Sequence, residues 1–226
     1  MKSSGHLPTW VMLGACALAC IAGMVNVVGY MGFEHQGITH LTGTTTLFGE
    51  ALSAANWRAS LQLGGMILAF VLGAAVSGAI IQGVQLRLGR RYGVALALES
   101  ILLFAAAALF KQGSMAGPLL AATACGLQNA MATTYSGALV RTTHLSGLFT
   151  DIGIGIGHAL RGLPQQATRT RLSLLTIGSF ASGCFIGAIL FRHLSYDALY
   201  VPATWTGLVG VGYALYHHHR YSRHAH

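Results

Sequence analysis

No Asp, Glu, Lys or Arg occurs between Lys2 and Glu34, between Arg58 and Arg87, between Lys111 and Arg141, or between Arg171 and Arg192. Each of these runs reaches or exceeds the roughly 20 apolar residues that cross a hydrocarbon core. Tyr92 to Phe110 and Ala198 to Tyr216 are of similar length and nearly as apolar. Across all 226 residues only 8% are charged, against about 25% in an ordinary soluble domain. A chain of this kind reads as an all-α membrane bundle.

The net charge is +8, but the Arg residues fall in short connections between apolar runs, not along one helical face. That pattern fits orientation by the positive-inside rule better than nucleic-acid binding, and no nucleic-acid partner is expected. Cys16, Cys20, Cys125 and Cys184 all lie inside apolar runs without a CxxC pair, so they read as small packing residues rather than disulfides or zinc ligands. Lys2 and the stretch Leu13-Gly14-Ala15-Cys16 resemble a lipoprotein signal, yet the apolar run continues past Cys16 to Met31. A retained helix is therefore expected.

Two stretches say nearly the same thing. Thr39-His40-Leu41-Thr42-Gly43 matches Thr143-His144-Leu145-Ser146-Gly147 at an offset of 104, which also aligns Thr46 with Thr150 and Gly49 with Gly153. Upstream, Gly23 and Asn26 match Gly126 and Asn129 at 103; downstream, Ser77-Gly78 matches Ser182-Gly183 at 105. This pattern points to a duplication, with repeats over 1–112 and 113–216 and a His-rich tail over 217–226.

In order, spans are expected near 9–32, 60–84, 92–111, 116–140, 172–191 and 197–216. Two short helices, near 44–55 and 148–160, follow the paired elements; about a dozen residues rise only about 18 Å, too little to cross. The spans near 60–84 and 172–191 carry small residues at close spacing, suited to internal packing or to a homodimer. With six spans the positive-inside count is ten Lys and Arg inside against three outside; counting the short helices as crossing gives eight against five. The six-span reading fits better, with both termini cytoplasmic. Three spans per repeat force the second repeat to insert upside down, a recurrent plan among secondary transporters. The two elements would then enter from opposite sides and meet near mid-depth.

The elements bring hydroxyls to cap a helix start, a Gly to permit the turn, and free N–H groups at helices beginning at Gly43 and Gly147. Such ends suit an anion or the oxygens of a small polar solute. Asn26 and Asn129 offer further donors and acceptors. His40 and His144 could be paired ligands or proton carriers, or plain structural histidines; no third ligand at fixed spacing suggests a metal. Glu99 and Asp151 are the acids expected at or near membrane depth, where ionisable groups default to functional roles such as coupling; Arg141 is a possible structural partner for Asp151. His144-Leu145-Ser146-Gly147 resembles an intramembrane serine protease turn, but Thr42 replaces Ser146 in the first copy, so no enzyme activity is expected.

Several of these residues carry a resemblance. Ala22-Gly23-Met24-Val25-Asn26, His40-Leu41-Thr42-Gly43-Thr44, Gly126-Leu127-Gln128-Asn129 and Arg141 to Gly147 make nearly the whole chain similar to the YoaK family of bacterial membrane proteins. Members often have Asp in place of Asn26 and Asn in place of Thr44. The resemblance implies a multi-span inner-membrane protein and no particular substrate.

The reading is a transporter or channel for a small polar or anionic solute, embedded in membrane lipid and needing no cofactor. Asn26, Thr39, His40, Thr42, Gly43, Asn129, Thr143, His144, Ser146 and Gly147 would line the site, with Glu99 and Asp151 coupling. The alternative is a non-transporting scaffold or lipid-interacting protein in which the paired elements only pack.

Overall fold

The uncharged runs fold as long helices because in lipid a backbone satisfies its own N–H and C=O groups most simply that way. The computed structural model describes residues 9–33, 37–81, 90–135, 142–164 and 167–222. The expected link at Glu34, His35 and Gln36, together with Lys2, Arg87, Arg141 and the tail from 223, lies outside them. So do the side chains of Trp10, Arg90, Tyr135 and residues 213–222.

Eight α-helices are described: α1 (Thr9–Gly32), α2 (Leu41–Ser53), α3 (Trp57–Ile80), α4 (Arg90–Lys111), α5 (Ala116–Tyr135), α6 (Leu145–Leu160), α7 (Ala167–Leu194) and α8 (Tyr200–Ser222). A 3-10 turn, Ser195–Leu199, joins the last two. By length and composition, Val11–Gly32, Trp57–Ile80, Arg91–Lys111 and Ala167–Gly212 are long and apolar enough to cross a membrane. The fourth stretch runs through α7 and the 3-10 turn into α8. α5, with Gln128, Asn129, Thr133 and Thr134 among its 20 residues, does not qualify on those grounds. The expected six spans are thus shown as four apolar stretches.

α1 packs along α7, α3 along α5, and α4 along both α5 and α8. Ala15 clusters with Leu172, Gly187 meets Met24 and Val27, and the Tyr196 hydroxyl donates to the Gly32 carbonyl, so α1 and α7 run the same way. Gly65 lies by Leu119 and Ile81 by Leu127 and Met131, so α3 and α5 also run together. The α4–α5 connection is tight, Gly113 taking φ +64 and donating to the Phe110 carbonyl at 2.9 Å. The Ser100 hydroxyl donates to the Ala203 carbonyl at 2.7 Å while Phe104 stacks on Tyr200, setting α8 antiparallel to α4.

Four glycines make the closest approaches. A Cβ on Gly23 would strike the Phe180 carbonyl, and one on Gly126 the Phe70 carbonyl; one on Gly73 would strike the Thr123 carbonyl, and one on Gly183 the Cys20 carbonyl. Gly23 and Gly126 stand 103 positions apart, as do Cys20 and Thr123; Gly73 and Gly183 stand 110 apart, as do Phe70 and Phe180. Exchanging the halves therefore maps each contact onto another. The expected match of Ser77-Gly78 to Ser182-Gly183 at 105 is corrected to Gly73 with Gly183. A missing Cβ matters only where backbones touch, and Gly78 has nothing within 4 Å. The small-residue faces of α3 and α7 serve internal packing at these positions.

α2 and α6 begin three residues earlier than expected. α2 turns back along α3, its Phe48 ring 3.2 Å from where a Cβ on Gly64 would sit. α6 turns back along α7: Leu145 packs on Phe180, halfway along that helix, and Gly155 lies beside Thr170. At 13 and 16 residues they rise about 20 and 24 Å. Each starts near the middle of the helix that follows it and returns to that helix's beginning.

Candidate functional site

The first break is seated on α1. Ile38 fills the space that Gly29 leaves open, and Gly37 lies against the Asn26 amide. Thr39 then donates its backbone N–H and its hydroxyl to Asn26 Oδ1, at 3.0 and 2.8 Å. His40 precedes α2 and folds its ring back so that Nδ1 would stand 3.0 Å from a Cβ on Gly43. Neither this ring nor a hydroxyl caps the helix start by a hydrogen bond, contrary to the expected hydroxyl cap. Thr44, Thr45 and Thr46 donate instead to the carbonyls of His40, Leu41 and Thr42, the local bond such side chains prefer once a helix has formed.

The second break copies part of this. His144 lies over Gly147, its Nδ1 2.8 Å from a Cβ placed there, and Thr150 donates to the Ser146 carbonyl at 2.9 Å. The Asn–Thr bond is not repeated among the described residues. Asn129 Oδ1 is buried without a partner, and so is Oγ1 of Thr142, a residue wholly out of solvent's reach. Thr143 is half-buried.

The ten candidate residues form two groups rather than one. α2 lies on α3 and α6 on α7, and among the described residues α2 and α6 do not touch. His40, Thr42, His144 and Ser146 are exposed on the outer sides of the bundle, while Thr39 is buried and Asn26 and Asn129 are half-buried beneath. Small apolar side chains, among them Val25, Val28, Ala121, Ala124 and Cys125, fill the core between them. The expected meeting of the two elements is not seen among the described residues: α2 starts against the middle of α3 and α6 against the middle of α7.

The two acids also part company. Asp151 receives two bonds from Arg169, Nη2 to Oδ1 at 2.8 Å and Nε to Oδ2 at 3.0 Å, and this pair ties α6 to α7 near the surface. Its partner is Arg169; Arg141, the expected one, lies outside the described residues. Glu99 is 2% exposed, and Gln128, 1% exposed, donates Nε2 to its Oε1 at 2.9 Å. Glu99 Oε2 has no partner, nor does Oγ of the fully buried Ser77. Sequence reasoning passed over Gln128, although an amide deep in an uncharged span needs a polar partner and Glu99 was the acid to offer. Among the described residues no group of three or more His, Cys, Asp or Glu could hold a metal.

Residues 14–212 match a protein family described as "Protein of unknown function (DUF1275)", a match consistent with the resemblance noted above. No curated protein and no solved structure matches the chain.

Proposed function

The chain belongs to the DUF1275 family, whose description assigns no activity, and from that premise we propose a YoaK-like multi-pass inner-membrane protein that passes a small polar or anionic solute between two inverted repeats. Six spans, α1, α3, α4, α5, α7 and α8, make up repeats over 1–112 and 113–216, with cytoplasmic termini. The helix directions support this reading: α1 runs with α7, α3 runs with α5, and the two pairs oppose each other.

The observation that carries the proposal is the placement of the two short helices. Each begins halfway along its long neighbour, with a polar first turn, His40-Leu41-Thr42 or His144-Leu145-Ser146, open to the outside. The first N–H groups of a helix lack intrahelical partners, and lipid cannot satisfy them. Water-filled crevices reaching half-depth from opposite sides would. Each crevice would end on a helix N-terminus, whose partial positive charge favours anions and solute oxygens. Beneath the second break, Asn129 Oδ1 and Thr142 Oγ1 are buried without partners, acceptors that a solute would reach only once the packing above them opened.

The test is reswelling of proteoliposomes shrunk with sodium formate, sodium phosphate, urea or glycerol. Reswelling with at least one of these is expected above that of empty vesicles, falling at least tenfold in Asn129→Leu and His144→Ala. Mutants at wild-type rates, or no permeation by any probe, contradict the proposal. A second reading, a non-transporting scaffold, is favoured by the Thr39–Asn26 bonds, which commit Asn26 Oδ1 and both Thr39 donors to holding the first break on α1. A second copy of the chain would then cover the open first turns.

A further inference from the structure

Glu99 and Gln128 meet in the interior of the bundle, where the α4–α5 pair is walled by Leu96, Leu127 and Leu103. The carboxyl has one N–H donor, Gln128 Nε2, and one free oxygen, Oε2. Lys, Arg and His are absent from the buried described residues, so none of those residues supplies a cation to balance it. From α5 the one titratable side chain facing it is the Cys125 thiol. From α8 the nearby buried hydroxyl, Thr206, is already given to the Pro202 carbonyl, and the described part of α3 carries no charge beyond Arg58 at its far start.

An alkali or divalent ion that enters such a place must exchange its water shell for several oxygen ligands. Here a single carboxyl oxygen is free, and the amide turns its N–H side toward the acid. A proton needs one oxygen only. We propose that Glu99, held in place by Gln128, is a proton-binding site in the bundle interior: Oε2 takes up one proton to form the carboxylic acid and releases it again, with no other bond changed. Residues at the offsets that relate the halves are Val209 for Glu99 and Val25 for Gln128, so the site exists once. Asn129, next to Gln128 on α5, and Ser77 on α3 also carry unpartnered buried oxygens. Its use rests on the transport reading, in which the proton would be the coupling ion; its existence does not.

Infrared difference spectra of the full chain in phosphatidylcholine vesicles, taken between alkaline and acidic buffer in H2O and D2O, test this. The expected result is a carboxylic C=O band at a position marking a weakly hydrogen-bonded acid and shifted by deuterium. It disappears in Glu99→Gln and moves in Gln128→Leu, with helical content unchanged by circular dichroism. Glu99→Asp keeps the band at a new position. A band unaltered in Glu99→Gln overturns the proposal. A band displaced at constant pH by sodium but not by choline also overturns it, in favour of a sodium site. The spectrum needs no solute, so it stands if the reswelling assay fails, and reswelling with an unaltered Glu99→Gln spectrum counts against this inference alone.

Discussion

Thr39 makes two hydrogen bonds to a single oxygen, Asn26 Oδ1, through its backbone N–H and its hydroxyl. That oxygen anchors the first break to α1. Removing it leaves buried donors unpaired, a loss of about 1–3 kcal/mol. Asn26→Ala is therefore expected to lower the unfolding temperature in detergent. Asn26→Asp, the residue common in the resembling family, retains an acceptor for both donors and should cost less. Thr39→Val added to Asn26→Ala should cost little more, since both changes break the same contact.

The glycine contacts make a paired prediction. Gly73→Ala and Gly183→Ala each push a methyl into a facing carbonyl, and overpacking of this kind costs about 1–3 kcal/mol. Gly78→Ala and Gly178→Ala meet nothing within 4 Å and should be neutral or slightly stabilising in thermal melts. Equal and large losses at 73 and 183, with none at 78, would verify the register that relates the halves.

The helical membrane character was legible because uncharged runs of this length leave the backbone few alternatives. The twin breaks were legible too, since Leu41 and Leu145 open α2 and α6 at the expected offset of 104. Helix starts were harder. The hydroxyls of the paired elements read as caps in sequence, but Thr39 turns its hydroxyl to Asn26, and His40 and His144 take the cap positions without a side-chain cap bond. Downstream, the glycine–carbonyl contacts pair Gly73 with Gly183, a different register from the Ser-Gly match, because Ser-Gly pairs recur by composition and a contact depends on which glycine meets a carbonyl. Long-range partners such as Arg169 for Asp151 and Gln128 for Glu99 depend on how helices pair, which spacing along one chain does not encode.

Asp151 and Arg169 latch α6 to α7. Their side chains are 21% and 56% exposed, and pairs of this kind contribute up to about 1 kcal/mol, screened by salt. Asp151→Asn and Arg169→Gln should each lower stability slightly, by less at high ionic strength, and leave solute flux within about twofold. Loss of flux in Asp151→Asn but not in Arg169→Gln, measured in the same vesicles, would return Asp151 to a coupling role.

The central claim is that the two breaks open to opposite sides of the membrane. The direct measurement replaces the four native cysteines, introduces His40→Cys or His144→Cys, and probes oriented vesicles with a membrane-impermeant maleimide from each side. The account predicts that position 40 is labelled from one side only and position 144 from the other only. Labelling of both from the same side, or of neither from any side, would contradict it.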